Sequence, residues 1–249
     1  MPLILMKIFE GRPSRFDRWM GFLTANRLQL IRDEISLTVK SGSETLEVGC
    51  GTGALAEQLA QRGCHVVAID VSDKMLDVAL QRTAGAMNAS RLEFRRLSAL
   101  EIEDAFPGGR FDTIVSVLTL SELSSSEVDC VLDQCHSLLR PRGELLVVDE
   151  SDPENLLLRF CFKIIRYPVR LFVFLVSQAA GLASGSSFKK ILYYVIELPL
   201  MLVTFFVVPP ASRPLLRFEE RAANAGLRVT ASKGYLWGLL RIWRAEVAS

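Results

Sequence analysis

The sequence predicts an α/β fold built on an open, mostly parallel sheet. Two observations carry this expectation. Short apolar runs alternate with amphipathic helical stretches from residue 45 to residue 148, the pattern of successive βαβ units. The first apolar run also empties into a turn with glycines at 49, 51 and 53, and a helical stretch follows at once.

The elements follow in order. Residues 14–39 read as helical, with Phe16, Trp19, Phe22, Leu28, Ile31 and Ile35 among charged positions. A break at Ser41-Gly42-Ser43 precedes strand 45–48, and the glycine turn leads into helix 54–62, stopped by Gly63. Strand 65–69 ends at Asp70, and Ser72 is placed to cap helix 73–81. Residues 92–96 and 112–118 read as the third and fourth strands. Ser124-Ser125-Ser126 opens a helix through Leu139, closed by Pro141-Arg142-Gly143, and residues 144–148 make the fifth strand. After an apolar insertion, residues 215–225 read as a helix ending at Gly226, and residues 227–232 and 235–245 as two strands around Gly234. No internal repeat is visible.

Composition narrows the function classes. Lys and Arg total 29 against 28 Asp and Glu, so a nucleic-acid or polyanion binder is not expected. Half the residues are apolar, which excludes disorder and low complexity. Five irregularly spaced cysteines form neither a disulfide framework nor a metal pattern and read as packing residues in a reducing compartment. The N-terminal run Met-Pro-Leu-Ile-Leu-Met is too short for a signal peptide and has no small-residue cleavage site.

The glycine turn carries chemistry. Glycines let the chain turn tightly and let a ligand approach the backbone, beside the free N–H groups of a helix start. Asp70 ends the next strand about twenty residues on, where a carboxylate can accept both hydroxyls of a ribose. Together they predict a nucleoside-containing cofactor. Gly49-x-Gly51-x-x-Ala54 also satisfies the dinucleotide pattern, so spacing alone leaves a nicotinamide cofactor open.

Glu47-Val48-Gly49-Cys50-Gly51-Thr52-Gly53 resembles the first motif of class I S-adenosylmethionine (SAM) methyltransferases. Residues 67–76 look like that family's second strand and ribose-binding turn, 111–116 like its fourth strand, and 139–145 like the turn before its fifth. The chain is most similar to the group acting on ubiquinone and menaquinone precursors. Phe9–Arg18 also resembles the start of corrinoid-protein-associated methyltransferases. The resemblance implies a Rossmann-like, seven-stranded sheet with helices on both faces and SAM as cofactor. It implies that Glu47 and the turn of Gly49, Cys50, Gly51 and Gly53 face the methionine part. By the same resemblance Asp70 takes the ribose, Val71 and Met75 wall the adenine, and Ser116 faces the sulfonium. Phe16 and Asp17 resemble an aromatic-acid pair that closes over the cofactor. The family's Gly-Asp-Ala after the third strand is replaced by Leu97-Ser98-Ala99, which leaves Ser98 or a backbone carbonyl to contact the adenine amine.

Transfer itself asks mainly for proximity and alignment, with a base only where the acceptor must lose a proton. Open α/β sites lie beyond the carboxyl ends of the strands. The polar groups expected there are Ser116, Thr119, Ser121 and Glu122 after the fourth strand, and Asp149, Glu150 and Asp152 after the fifth. Glu150 and Glu122 are the candidate bases; helix capping or plain solvent exposure is the competing reading. His65 opens its strand at the far end and His136 lies late in a helix, so both read as structural.

Four regions are expected: a helical cap over 1–40, a cofactor-binding core over 41–153, a basic apolar helical insertion over 154–213, and 214–249 completing the core. Residues 154–214 hold seven basic and two acidic side chains. Arg159, Lys163 and Arg166 share one helical face opposite Leu157, Phe160 and Ile164, the pattern of an interfacial helix on an anionic membrane. Residues 169–183 would span about 22 Å and 191–208 about 27 Å as helices, against a hydrocarbon core of ~30 Å. Glu197 and Pro199 interrupt the second run. A hairpin dipping into one leaflet fits this arithmetic better than two spans; a soluble lid is the third option. The expected protein is therefore a methyltransferase at the cytoplasmic face of a membrane, acting on a lipophilic small-molecule acceptor. Service to a corrinoid or other protein partner, a noncatalytic SAM-binding scaffold and, last, a nicotinamide-dependent oxidoreductase remain the alternatives.

Overall fold

The computed structural model describes residues 26–85, 89–151, 215 and 217–248. Its strands are β1 (Glu44–Val48), β2 (His65–Asp70), β3 (Leu92–Arg96), β4 (Phe111–Val117), β5 (Leu139–Glu150), β6 (Leu227–Tyr235) and β7 (Leu240–Val247). They form a seven-stranded sheet in the order β3-β2-β1-β4-β5-β7-β6. Strands β1 to β5 run parallel, and β7 is antiparallel to both β5 and β6. The order reverses at β1, between β2 and β4, which opens a crevice at the carboxyl ends of those strands.

Alternation along the strands sends two apolar sets to opposite faces. Helices α1 (Arg27–Thr38), α2 (Ala54–Gln61) and α3 (Asp73–Thr83) cover one face. There Ile31, Ile35, Leu55, Leu59 and Leu76 pack on Val66, Ala68, Val115, Leu146 and Val148. Helices α4 (Ile102–Ala105), α5 (Ser125–Leu138) and α6 (Phe218–Asn224) cover the other. There Ile102, Val128, Val131, Leu132, Leu138 and Phe218 pack on Leu46, Val67, Ile114, Val147 and Trp243. Two of the helices have explicit start signals. Ser72 accepts the Met75 N–H at the head of α3, and Ser124 and Glu127 form a reciprocal capping box on α5.

Three boundaries depart from the sequence reading. Helix α5 stops at Leu138, because Leu139 already pairs with Phe111, and Pro141-Arg142-Gly143 lies inside β5 rather than before it. The residue before a proline is pushed to extended backbone, which turns the chain into the sheet early. The irregularity is absorbed by Arg142 at φ 67° and a register shift opposite Phe111 and Thr113. The β6–β7 connection falls at Leu236-Trp237-Gly238, not around Gly234, which pairs with Arg241 within the ladder. Gly238 supplies the left-handed backbone the turn needs, at φ 88°. Helix α6 starts at Phe218 instead of residue 215, because the Leu215 N–H is bonded to the Glu150 carbonyl at 3.0 Å.

The insertion over 154–213, most of the 1–40 cap, and Phe16 and Asp17 lie outside the described residues. Among the described residues no helix is long and apolar enough to cross a membrane.

Candidate cofactor and acceptor site

The carboxyl ends of β1, β2, β4 and β5 meet at the glycine turn. The N–H groups of Gly49 and Cys50 both bond to the Ile69 carbonyl at 2.9 Å, which locks the turn onto the end of β2. Gly49, Gly51 and Gly53 have φ of 75°, 53° and 72°, a region that side chains with a Cβ rarely adopt. Their surroundings differ. A Cβ on Gly49 would lie 2.1 Å from Thr119 Oγ1, and one on Gly53 would lie 2.8 Å from the Ala79 Cβ. A Cβ on Gly51 meets nothing within 4 Å, so this middle glycine borders open space. It is here that a ligand can reach the backbone. Helix α2 begins after Gly53, which gives it no side-chain cap, and in its first turn the Ala56 N–H bonds to Glu47.

Asp70 points at this bend. Its Oδ2 accepts the Gly51 N–H at 2.8 Å and its Oδ1 accepts the Ser72 N–H at 2.9 Å. The carboxylate thus braces the turn it faces, and each oxygen keeps acceptor capacity for a ribose hydroxyl. Val71 beside it is 64 % exposed, whereas Met75 is buried in the packing of α3. The Ser98 hydroxyl accepts the Leu100 N–H at 3.2 Å and heads a short 3-10 turn, with Ala99 packed half-buried at the edge of the core.

Glu47 is the next-to-last residue of β1, on the face covered by α1. It is 3 % exposed, and its Oε2 has no hydrogen-bond partner among the described residues. Burial pushes its carboxyl up to about 8; Arg32 on α1 and the Ala56 N–H oppose the rise and Asp70 adds to it. A buried carboxylate oxygen without a donor, beside a bend that borders open space, suits a cationic ligand group. The ammonium and sulfonium of SAM are such groups. Ser116 near the end of β4 is likewise buried with an unpartnered hydroxyl. Cys50 is buried and its thiol is pushed well up by burial, so it fills space in the turn.

The acids after β4 and β5 also come together. Asp149 is fully buried; its Oδ2 accepts the Ser121 N–H at 2.9 Å and its Oδ1 accepts the Glu150 N–H at 2.8 Å. Burial pushes the Glu150 carboxyl up to about 7, and the negative charges of Asp149 and Glu122 add to the rise. Glu122 itself is exposed. The two candidate bases therefore share one rim, with Glu150 in the more apolar position. Since a buried acid with a raised pKa penalises the folded state once it ionises, stability from this group is full below about pH 4.5 and is lost as pH rises through about 7. Glu150→Gln is expected to match the wild-type melting midpoint at pH 4.5 and to exceed it by several degrees above pH 7, on the order of 2 kcal/mol, in a thermal-melt series. Parallel profiles would refute the assignment.

The histidines sit away from this rim: His65 is exposed beside Arg91, and the His136 ring packs near Gly226. Of the cysteines read as packing residues, Cys50, Cys64 and Cys135 are buried and Cys130 is exposed, one step off the apolar stripe of α5. Sequence reading missed Arg32 as the cation whose charge acts on Glu47. It also missed the brace in which Tyr235 and Lys233 donate to Glu34, tying α1 to β6.

Residues 45–143 match the family model described as a methyltransferase domain. The ubiquinone biosynthesis O-methyltransferase of Xylella fastidiosa (strain M23) is 36% identical over 121 residues, 49% of this chain and 46% of that protein. The demethylmenaquinone methyltransferase of Tropheryma whipplei (strain Twist) is 32% identical over 142 residues, 57% of this chain and 56% of that protein. This chain thus spans about half the length of the curated relatives it matches. Among solved structures, magnesium protoporphyrin IX methyltransferase from Synechocystis PCC 6803, with bound SAH, superposes with a TM-score of 0.62 at 18% identity, covering 99% of both chains. The [4+2]-cyclase SpnF superposes at 0.59 with 16% identity over 88% of this chain and 80% of that one, so the fold by itself does not name a reaction. The sheet order, the glycine bend with its two acids and the family match converge on one conclusion: residues 45–143 are a methyltransferase domain of the class I fold, with SAM as its cofactor.

Proposed function

We propose that the protein transfers a methyl group from SAM to a lipophilic, membrane-borne small molecule such as a quinone precursor, isoprenoid or lipid, at the cytoplasmic face of a membrane. The observation that carries the methyl-donor half is the open bend at Gly51 between the ribose-side carboxylate of Asp70 and the donorless oxygen of Glu47. Two relatives named for ubiquinone biosynthesis and demethylmenaquinone methylation support a quinone-like acceptor. The basic, apolar sequence of residues 154–214 supports delivery from a lipid surface.

Bound SAM supplies an activated methyl and its own leaving group. Asp70 orients the ribose, and Glu47 beside the open face of the turn holds the cationic methionine end. The rim of Glu150 and Glu122 takes the proton of an acceptor that must lose one as its new bond to carbon forms.

The test has two parts. S-adenosylhomocysteine (SAH), and not NADH, is expected to raise the melting midpoint. With methyl-labelled SAM and membranes, label is expected in the organic-soluble fraction. Label in protein instead would move the acceptor to a protein partner. SAH binding without any transfer would make the protein a SAM-binding scaffold.

A further inference from the structure

Thr119 has no part in the roles assigned so far, yet the fold places it against the donor turn. Its hydroxyl lies 3.3 Å from the Val48 carbonyl, 3.5 Å from that of Gly49 and 3.2 Å from that of Val117, all acceptors. Its side chain fills the space over the Gly49 Cα so fully that a Cβ there would overlap three of its atoms. The backbone that puts it there is held under constraint. Leu118 just before it has φ 56°, an unfavourable value for a leucine, kept in place by a 2.7 Å bond from its N–H to the Val148 carbonyl. Ser121 just after it is pinned to the buried Asp149. A segment anchored on both sides of one threonine presents a fixed prop to the turn.

We propose that Thr119 is a positioning residue for the methyl donor, setting the Val48–Gly49 end of the turn that faces the homocysteine half. The proposal rests on the SAM reading above. The turn is held by different groups along its length: Asp70 braces the middle, Gly51, on the ribose side, while at the Gly49 end Ile69 of β2 takes the N–H and Thr119, from the chain after β4, faces the Val48 and Gly49 carbonyls. Loss of the threonine prop therefore acts on one half of the ligand and leaves the other.

Titration calorimetry of Thr119→Val and Thr119→Ser with SAH and with adenosine separates the two halves. Valine keeps the shape without the hydroxyl; serine keeps the hydroxyl. Thr119→Val is expected to weaken SAH by ~10-fold, the loss of one buried hydrogen bond, and to leave adenosine within about twofold. Thr119→Ser is expected to stay within about threefold of wild type for both ligands. Equal SAH affinity in Thr119→Val and wild type overturns the proposal. So does an equal loss of SAH and adenosine, which would mark a general collapse of the pocket, or a loss of SAH in Thr119→Ser as large as in Thr119→Val. Should Thr119→Val not fold, Thr119→Ala removes the same hydroxyl and takes its place: SAH affinity equal to that of wild type there overturns the proposal, and a loss of SAH with adenosine unchanged supports it. A wild-type protein that binds no SAH sinks the SAM reading itself, a result distinct from all of these.

Discussion

Asp70→Ala raises the SAH dissociation constant by at least ~100-fold. The carboxylate accepts two backbone N–H bonds, from Gly51 and Ser72, before any ligand arrives. Hydrogen bonds to a charged group contribute roughly 1.5–3 kcal/mol each. Alanine therefore removes the ribose contact and also frees the middle of the turn against which the ligand lies. Asp70→Asn separates the two effects. Its amide oxygen can accept one of the N–H groups, so the turn is partly kept while the charge is gone. The expected order of affinity is wild type, then Asp70→Asn, then Asp70→Ala, measured by calorimetry at one pH. Unchanged affinity in Asp70→Ala would remove the site from this bend altogether.

Glu47→Gln removes a pH dependence that SAM binding has in the wild type. The Glu47 carboxyl is pushed up to about 8 by burial, so it is largely neutral at pH 7 in the free protein. A cationic ligand beside it favours the ionised form and expels the proton. Wild-type affinity relative to that of Glu47→Gln should then fall by up to tenfold for each pH unit below about 8. The ratio of the two constants is the quantity to follow, because the ligand's own titration cancels in it. The same group gives the opposite trend in the free protein. Its stability contribution is full below about pH 4.5 and is lost as pH rises through about 8, so Glu47→Gln melts higher than wild type in alkali without ligand. A variant that binds SAM more weakly by a constant factor at every pH would deny Glu47 its electrostatic role.

Much of this arrangement can be read from the chain. The alternation of apolar runs and helical stretches places five strands and their helices in order, because strands buried on both faces are continuous apolar runs with sharp ends. Glu47, the three glycines and Asp70 are legible because they cluster at strand ends in one motif. What escapes is long-range. Nothing in Arg32 announces Glu47 as its neighbour; that contact depends on which stripe of α1, Leu28, Ile31 and Ile35, turns inward. Asp149 and Thr119 stand out only as polar residues near strand ends, since their partners are 28 and about 70 residues away. The β6–β7 turn was misplaced for a local reason. Gly234 and Gly238 offer the same signal, and the pairing of Gly234 with Arg241 decides between them.

The Ser151 N–H bonds to the Leu239 carbonyl and the Leu215 N–H to the Glu150 carbonyl, so the polypeptide departs from β5 and comes back to it within a single rung. Ser151 and Leu215 are thereby both tied at the Glu150 end of the strand. Both ties are backbone bonds, so the join to β5 does not depend on which side chains follow Ser151 or precede Leu215, and the strand that supports the donor turn keeps its pairing whatever sequence lies between them.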